Sequence, residues 1–237
     1  MEYIVRDIAG NTSTLLIKVK STRPPLPAAF IPTGTLFKHN LQNEFTNDKV
    51  KVIITPGNLY DELDFNYARL PRKPGTYSET HRIHNKFTPI HEKFSLWIKP
   101  DSDIGSHANK AVLINTAGNV ASGVYQDGYV KAECRFFGDY YIRVDTVAPV
   151  ITPVNIRDGS NLRAVKSITL RISDNLSGLK HYAGKIDGKW VLVEHDYKTK
   201  LFRYNFDADF QPGKHTFELT ATDQMDNIST FTATFYR

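Results

Sequence analysis

The last twenty-five residues show the clearest alternation of apolar and polar side chains in this sequence. In two runs every second residue falls on one mainly apolar face, formed by His215, Phe217, Leu219 and Ala221, then by Phe231, Ala233 and Phe235. Alternation with a period of two is typical of a strand that is buried on one face. The segment Asp223-Gln-Met-Asp-Asn227 between the runs has residue types that favour turns. The pattern predicts the closing β-hairpin of an immunoglobulin-like sandwich.

A similar hairpin pattern lies at the start of the chain. The segment Asp7-Ile-Ala-Gly-Asn11-Thr-Ser13-Thr14 matches Asp223-Gln-Met-Asp-Asn227-Ile-Ser229-Thr230 at a constant offset. An isolated hairpin is only marginally stable in water. We therefore expect residues 1–22 to be the closing hairpin of a truncated upstream immunoglobulin-like domain. We also expect its open edges to be covered by the central sandwich or by another molecule.

Short strand-like runs separated by turn residues fill the chain between the two hairpins. Those before residue 146 include residues 49–55, 63–68, 94–99, 111–115, 129–134 and 138–145. The segment Asp145-Thr-Val-Ala-Pro149 indicates a boundary, and similar runs follow at residues 167–173, 181–187, 189–194 and 201–206. The pair Asp187-Gly188 predicts a hairpin turn, and Trp190 is predicted to fill the core between two sheets.

The predicted fold class is all-β, with two consecutive β-sandwich domains. Many short strands at close spacing are typical of sandwiches. The predicted domains are a remnant hairpin at residues 1–22, a central sandwich at 23–146, and an immunoglobulin-like sandwich at 147–237. Residues 21–27 contain three prolines and cannot continue a ladder of backbone hydrogen bonds, so they are predicted to be a linker.

The composition narrows the range of functions. Hydrophobic residues make up 41% of the chain, which is enough for real cores. The net charge is +5, but the basic residues are dispersed, whereas a nucleic-acid binder would concentrate them on one patch. No apolar run approaches the roughly 20 residues of a membrane span. Cys134 is the single cysteine, and we expect it to be a small buried residue rather than a nucleophile.

Several motifs in the chain are long enough to be specific. They are Asp174-Asn-Leu-Ser-Gly178, Ile186-Asp-Gly-Lys-Trp-Val-Leu192, Gly213-Lys-His-Thr-Phe-Glu-Leu219, Thr234-Phe-Tyr-Arg237, His81-Arg-Ile-His84-Asn, Thr88-Pro-Ile-His91, Asp127-Gly-Tyr-Val130 and Phe137-Gly-Asp-Tyr140. Together they resemble the extreme C-terminus of a family of bacterial envelope proteins. In that family a lysostaphin-type (LytM-like) zinc endopeptidase domain comes first and β-sandwich domains follow. Residues 48–67 are also similar to the sandwich domain found in netrin receptors and ankyrins.

The resemblance implies a non-catalytic accessory or scaffold region that binds or positions its protein at the cell wall. It implies a periplasmic or other envelope location, a cell-wall polymer or envelope protein as partner, and a catalytic domain upstream in the full-length relative. The lysostaphin-type metal set needs a His-x-His pair, and this sequence has none, so no catalytic residue and no cofactor can be assigned. An adhesion or carbohydrate-binding module with exposed tyrosines is the alternative.

Two groups of residues are candidate metal ligands. His81, His84 and His91 could bind zinc, which would make the chain a metal-dependent hydrolase, although structural roles also explain these histidines. The acidic turns carry Asp174, Asp223 and Asp226, with Asn175 and Asn227 beside them, and could converge at one end of the last sandwich. Oxygen ligands of this kind suit Ca²⁺, but the hydrogen bonding of turns explains the same residues without an ion.

Overall fold

A computed structural model describes residues 1–20 and 33–237, and the predicted linker at residues 21–27 lies outside the described residues. The predicted all-β fold is confirmed, because β-strands dominate and the regular helix described is one short 3-10 segment. No helix in these two ranges has both the length and the apolar character needed to cross a membrane. The N-terminal hairpin and residues 33–237 form separate compact units.

The N-terminal unit is an antiparallel hairpin. Its strands are β1, Glu2–Arg6, and β2, Thr12–Leu16, with Tyr3 opposite Leu15. Asp7 closes the turn: its carboxylate accepts hydrogen bonds from the backbone N–H of Asn11 at 2.9 Å and from the Asn11 side-chain amide at 2.7 Å. All side chains of residues 1–20 are exposed. The predicted hairpin therefore forms from local turn chemistry and strand pairing.

The central sandwich contains twelve strands and the 3-10 helix Gly105–Lys110. The strands are β3 Thr35–Phe37, β4 Asn43–Thr46, β5 Val50–Ile54, β6 Leu63–Phe65, β7 Tyr67–Leu70, β8 Thr80–Ile83, β9 Phe94–Ile98, β10 Ala111–Asn115, β11 Val120–Ser122, β12 Val124–Gln126, β13 Tyr129–Cys134 and β14 Gly138–Val144. One sheet has the order β11-β10-β14-β8-β7 and the other β12-β13-β9-β5-β4. A small pair, β3 and β6, stacks Phe37 on Phe65 with ring centroids 4.6 Å apart.

The core of the central sandwich follows from the alternation of its strands. In β5, β9 and β13 every second side chain is buried, and these side chains face the apolar strand β10 and the buried face of β14. A period of two sends alternate side chains to opposite faces of a sheet, so one face of each strand enters the core. Burying this face supplies the main stabilisation of such a sandwich.

The second sandwich contains nine strands. They are β15 Val150–Pro153, β16 Ser160–Asn161, β17 Ser167–Ser173, β18 Leu179–Ile186, β19 Lys189–Val191, β20 Glu194–Asp196, β21 Leu201–Asn205, β22 Lys214–Asp223 and β23 Ile228–Tyr236. The sheets have the orders β15-β17-β21-β20 and β16-β23-β22-β18-β19. The predicted C-terminal hairpin is confirmed, and it buries Phe217, Leu219, Ala233 and Phe235 in a second core.

Two details of the second sandwich differ from the predictions. The run at residues 189–194 is not one strand: β19 belongs to one sheet and β20 to the other, and the chain crosses between them at Leu192 and Val193. Trp190 is not a core residue, because it is 68% exposed. The side chain that enters the core here is Val193, while Trp190 lies on the outer side of an edge strand. The Asp187-Gly188 turn forms as predicted, with positive φ at both residues.

Candidate cation centre and aromatic groove

Three aspartates meet where the two sandwiches join. Asp145 directly follows β14, Asp174 directly follows β17, and Asp223 is the last residue of β22. One carboxylate oxygen from each lies within 4.8 Å of the others. Among residues 1–20 and 33–237 this is the one cluster of three or more His, Cys, Asp or Glu side chains close enough to share a metal ion. Asp145 is 1% exposed and Asp223 is fully buried.

Backbone hydrogen bonds hold the three carboxylates in place. The carboxylate of Asp145 accepts from Ser177 N–H at 2.8 Å, and that of Asp174 accepts from Gly178 N–H at 2.7 Å. The carboxylate of Asp223 accepts from the backbone and side-chain amides of Asn227 at 2.8 and 2.7 Å. The turns after β17 and β22 therefore fix the cluster from the second sandwich, and Asp145 completes it from the first.

Further hydrogen bonds tie the two sandwiches together around this cluster. The Asn227 side-chain amide donates to the backbone carbonyl of Asp145 at 2.9 Å, and the Lys110 ammonium donates to the carbonyl of Met225. Within the first sandwich, the backbone N–H of Asp145 donates to the Lys110 carbonyl at 2.9 Å and so holds these two residues together. Because these bonds are partly buried, they restrict the orientation of one sandwich against the other.

Sequence reasoning placed two of these aspartates correctly and missed the third. Asp174 and Asp223 converge as predicted, but Asp226 does not join them. It has a φ of 58°, is exposed, and forms an ion pair with Lys180 at 2.7 Å, and the hydrogen bond from Lys180 lowers the pKa of Asp226. Asn175 is exposed. Asp145 was recognised as a boundary residue, and its burial against the next sandwich has no local signal in the sequence.

The three predicted histidine ligands do not form a shared site in the described chain. His81 is fully buried on β8, where the Tyr67 hydroxyl lies 2.8 Å from its Nδ1. Burial lowers the pKa of His81 to about 4, so its ring is neutral at pH 7. Its Nε2 is buried without a hydrogen-bond partner among the described residues. These contacts indicate a packed structural histidine.

His84 and His91 have separate partners. The Nε2 atom of His84 lies 3.0 Å from Thr88 Oγ1, and burial lowers the pKa of His84. The Nδ1 atom of His91 lies 3.2 Å from the Tyr60 hydroxyl, on an exposed part of the loop. The structure therefore places each predicted zinc ligand in its own hydrogen-bonded setting. Cys134 is 1% exposed, and burial raises the pKa of its thiol to about 12, which agrees with a packing role.

A groove lined with aromatic side chains opens along one edge of the second sandwich. It has a volume of about 500 Å³ and lies between β18, β19 and the start of β20. Trp190 and Tyr197 are 68% and 83% exposed, and His195 stacks on Phe202 with ring centroids 4.1 Å apart. Tyr182, which is half-buried, completes the aromatic wall.

The groove exists because the chain switches sheets beside it. Val193 turns into the core and packs over Gly184 of β18, where a Cβ atom would collide with the valine side chain. The missing side chain at Gly184 lets the crossing segment approach the sheet closely. Leu192 and Trp190 then remain outside the core, with exposures of 59% and 68%. Trp190 is thus a surface aromatic that sequence reasoning assigned to the interior.

A larger hollow of about 710 Å³ lies on the central sandwich. It is lined by Tyr67, Arg82, His84 and Phe87, among others, and Arg82 is held by a paired hydrogen bond to Asp139 at 2.8 and 3.1 Å. Phe87 is 80% exposed and contacts the Lys86 ammonium. This hollow presents one exposed aromatic ring, whereas the groove of the second sandwich presents two beside a stacked histidine.

Comparison with known proteins gives one family match. A family model described as a Zu5-like domain matches residues 34–145, just under half of the chain, and this range spans the central sandwich. The matched range includes residues 48–67, for which the sequence showed its second resemblance. No curated protein matches the sequence.

Three solved structures are remotely similar. The endo-beta-1,4-mannanase from Thermotoga petrophila is 14% identical, and the match covers 39% of this chain and 20% of that chain with a TM-score of 0.31. The fibronectin(III)-like modules of Clostridium thermocellum CbhA are 11% identical, and the match covers 72% of this chain and 93% of that chain with a TM-score of 0.31. The Bacteroides ovatus protein SGBP-B of a mixed-linkage glucan utilization locus, in complex with a mixed-linkage heptasaccharide, is 11% identical, and the match covers 92% of this chain and 69% of that chain with a TM-score of 0.23. This chain spans only 20% of the mannanase. Similarities this remote carry no conclusion about function.

Proposed function

We propose that this chain is a non-catalytic binding region of a cell-envelope protein related to the lysostaphin-type endopeptidases. Its second sandwich binds a cell-wall glycan in the aromatic groove, and this contact positions the protein at the wall. The proposal joins the accessory role implied by the sequence motifs with the carbohydrate-binding alternative. The sequence motifs support a location in the cell envelope, and the aromatic groove supports a glycan as the ligand.

The observation that carries the proposal is the exposure of Trp190 and Tyr197 in one groove. Single exposed apolar residues are common on protein surfaces, but two large aromatic side chains exposed in the same groove make that groove a candidate binding site. A sugar ring has an apolar face of C–H groups that can pack flat against an aromatic ring, and a rim of hydroxyls. Ring faces beside polar groups therefore suit a glycan better than a purely apolar ligand.

The groove also includes residues whose side chains can form hydrogen bonds with the hydroxyls of such a ligand. They are Lys180, His181, Tyr182 and His195. The groove is open to solvent rather than enclosed, so it could hold part of a longer sugar chain. The strands β18 and β22, which carry and support it, belong to the well-packed second core.

The bonded junction supports the positioning role. Asp145, Asn227 and Lys110 link the sandwiches by hydrogen bonds, so a force or a tether at one sandwich would be transmitted to the other. A flexible linker between the sandwiches would not constrain the distance between a wall contact and the rest of the protein. The strands from β3 to β23 build two sandwiches with a groove on the second, and this arrangement suits the proposed spacer role.

Co-sedimentation of the purified chain with insoluble peptidoglycan tests the proposal. We expect the wild-type chain to bind and the double variant Trp190→Ala/Tyr197→Ala to bind at least about tenfold more weakly, because exposed aromatic anchors dominate such contacts. Phe87→Ala is the matched control, since it removes an equally exposed ring from the hollow of the central sandwich.

Neutral insoluble polysaccharides, run in parallel, determine whether the groove selects the wall polymer. Equal binding to all glycans would support a glycan site in the groove but contradict its selectivity for the cell-wall polymer. Absence of binding to any glycan would contradict the proposed function. Loss of binding in Phe87→Ala, with normal binding in the double variant, would move the site to the central sandwich and contradict the groove.

A further inference from the structure

We propose that Asp145, Asp174 and Asp223 bind a Ca²⁺ ion that cross-links the two sandwiches. The proposal is independent of the glycan groove, because it concerns the junction and a different set of side chains. It concerns how the chain is held rigid rather than what it binds.

The spacing of the carboxylates fits a single ion. Ca²⁺ is coordinated by oxygen atoms at about 2.3–2.6 Å, so two oxygens on the same ion can be at most about 5 Å apart. The three carboxylates provide one oxygen each, and all three oxygens lie within 4.8 Å of one another. An ion placed among them can therefore contact all three without a large movement of the backbone.

Burial makes an unbalanced charge at this place costly. Asp145 and Asp223 are 1% and 0% exposed, and Asp174 is partly buried. In the described part of the chain, none of the three forms an ion pair with Lys, Arg or His. Buried carboxylates are normally paired with a cation, bound to a metal or protonated. A divalent ion neutralises two of the three charges.

Two buried oxygens at the cluster are without any hydrogen-bond partner. They are Oδ1 of Asp174 and the hydroxyl Oγ of Ser177, a residue that is 9% exposed and whose backbone N–H donates to Asp145 at 2.8 Å. Turn chemistry explains the other oxygen of Asp174, which accepts from Leu176 and Gly178, but leaves Oδ1 unexplained. Buried polar atoms are nearly always satisfied, so these two atoms point to a ligand.

The chemistry of the donors selects Ca²⁺ among common ions. All the candidate ligands are oxygen atoms of carboxylates or a hydroxyl, whereas zinc sites are built mainly from His nitrogen and Cys sulfur ligands, with at most some carboxylates. Ca²⁺ accepts irregular coordination with water completing the shell, and Mg²⁺ requires a strict octahedron at shorter distances. The carboxylates accept backbone hydrogen bonds and still have free lone pairs for an ion.

The location of the ligands gives the ion its effect. Asp145 closes the central sandwich, while Asp174 and Asp223 belong to two turns of the second sandwich. An ion bound by all three would connect both modules at the point where Asn227 and Lys110 already bridge them. An ion that binds the folded chain but not the unfolded chain stabilises the folded state by mass action.

Calorimetric titration of the chelator-treated wild-type chain with Ca²⁺, together with thermal unfolding, tests this proposal. We expect one ion per chain, weaker binding of Mg²⁺, and a melting temperature higher by on the order of 5–10 °C when Ca²⁺ exceeds its Kd a hundredfold. The wild-type measurement does not depend on how any variant folds. No heat of binding and no Ca²⁺-dependent shift would overturn the proposal.

Two matched substitutions locate the site. Asp174→Asn keeps the size of the side chain and an oxygen for the turn hydrogen bonds, and we expect it to remove Ca²⁺ binding. Asp226→Asn changes an exposed aspartate in the neighbouring turn, and we expect it to bind Ca²⁺ like the wild type. Binding that persists in Asp174→Asn, or is lost in Asp226→Asn, would contradict the assigned ligands.

Discussion

The two terminal hairpins have the same turn chemistry in opposite surroundings. In each, an aspartate accepts hydrogen bonds from the backbone and side-chain amides of an asparagine four residues later. The distances are 2.9 and 2.7 Å for Asp7 with Asn11, and 2.8 and 2.7 Å for Asp223 with Asn227. The turn is therefore specified by its own residues, whatever surrounds it.

Burial separates the two hairpins. Every side chain of residues 1–20 is exposed, whereas β22 and β23 bury one face in the second core and Asp223 is fully buried. Asp223 meets Asp145 and Asp174, while the hydrogen bonds from Asn11 are the main cause of the lowered pKa of Asp7. A local motif thus fixes a backbone conformation, and tertiary contacts decide whether it becomes a site.

The two hairpins should differ most in how much stability is lost when an aromatic side chain is replaced by alanine. Phe217→Ala in β22 should lower the free energy of unfolding by about 3–5 kcal/mol, because Phe217 is fully buried and its loss leaves a cavity. Tyr3→Ala in β1 should change the stability of residues 33–237 by less than about 0.5 kcal/mol, because Tyr3 is 52% exposed. Urea denaturation of both variants measures this, and equal effects would contradict the comparison.

Burial should also give the central sandwich a pH dependence. The pKa of His81 falls from 6.5 to about 4 on folding, because burial disfavours the charged ring. The unfolded chain then binds the extra proton, so the free energy of unfolding should decrease by about 3 kcal/mol as the pH falls from 6.5 to 4. Above about pH 7.5, where the unfolded ring is also neutral, this contribution is complete and constant.

Urea denaturation at several pH values, for the wild type and for His81→Phe, isolates this contribution. The variant should lose stability less steeply over the same interval, since acidic groups common to both proteins cancel in the difference. Identical slopes for the two proteins between pH 6.5 and 4 would show that His81 is not kept neutral by burial.

Removing the turn asparagines should sharpen the comparison further. Asn227→Ala loses the hydrogen bonds to Asp223 and to the carbonyl of Asp145, which are partly buried, and should cost about 2 kcal/mol. Asn11→Ala loses only the side-chain hydrogen bond to Asp7, at an exposed turn, and should leave the unfolding of residues 33–237 unchanged. If Asn227→Ala costs less than about 0.5 kcal/mol, the junction is not held by this side chain.

A small effect on stability is also expected at Trp190. Because the indole is 68% exposed, Trp190→Ala should change the free energy of unfolding by less than about 0.5 kcal/mol while weakening glycan binding. A tryptophan in the core would cost about 3–5 kcal/mol on truncation. Thermal unfolding of the variant distinguishes the two, and a loss of the larger size would restore the core assignment and remove Trp190 from the groove.

The sequence predicted strands best where one face is buried in a regular alternation. The hairpin of β22 and β23 and the strands β5 and β9 have this pattern, and the structure confirms them. The segment of β19 and β20 was read as one strand, because the switch between sheets depends on Val193 packing over Gly184. Val193 and Gly184 lie in different segments, and the alternation of side chains along one strand gives no information about a contact between two segments.

The candidate sites depended even more on tertiary contacts. His81, His84 and His91 are close in sequence, but strand β8 and the following loop direct them to different partners. Asp174 and Asp223 could be proposed together because both lie in turns at one end of a sandwich. Asp145 could not be added, since its partners are defined only by how the first sandwich meets the second.

Native mass spectrometry of the chain with Ca²⁺ tests most directly whether burial, rather than turn chemistry, makes the site. One bound ion is predicted, retained in Asp7→Asn and lost in Asp174→Asn. A chain that binds no Ca²⁺, or one that loses an ion on substitution of the exposed Asp7, would contradict this account.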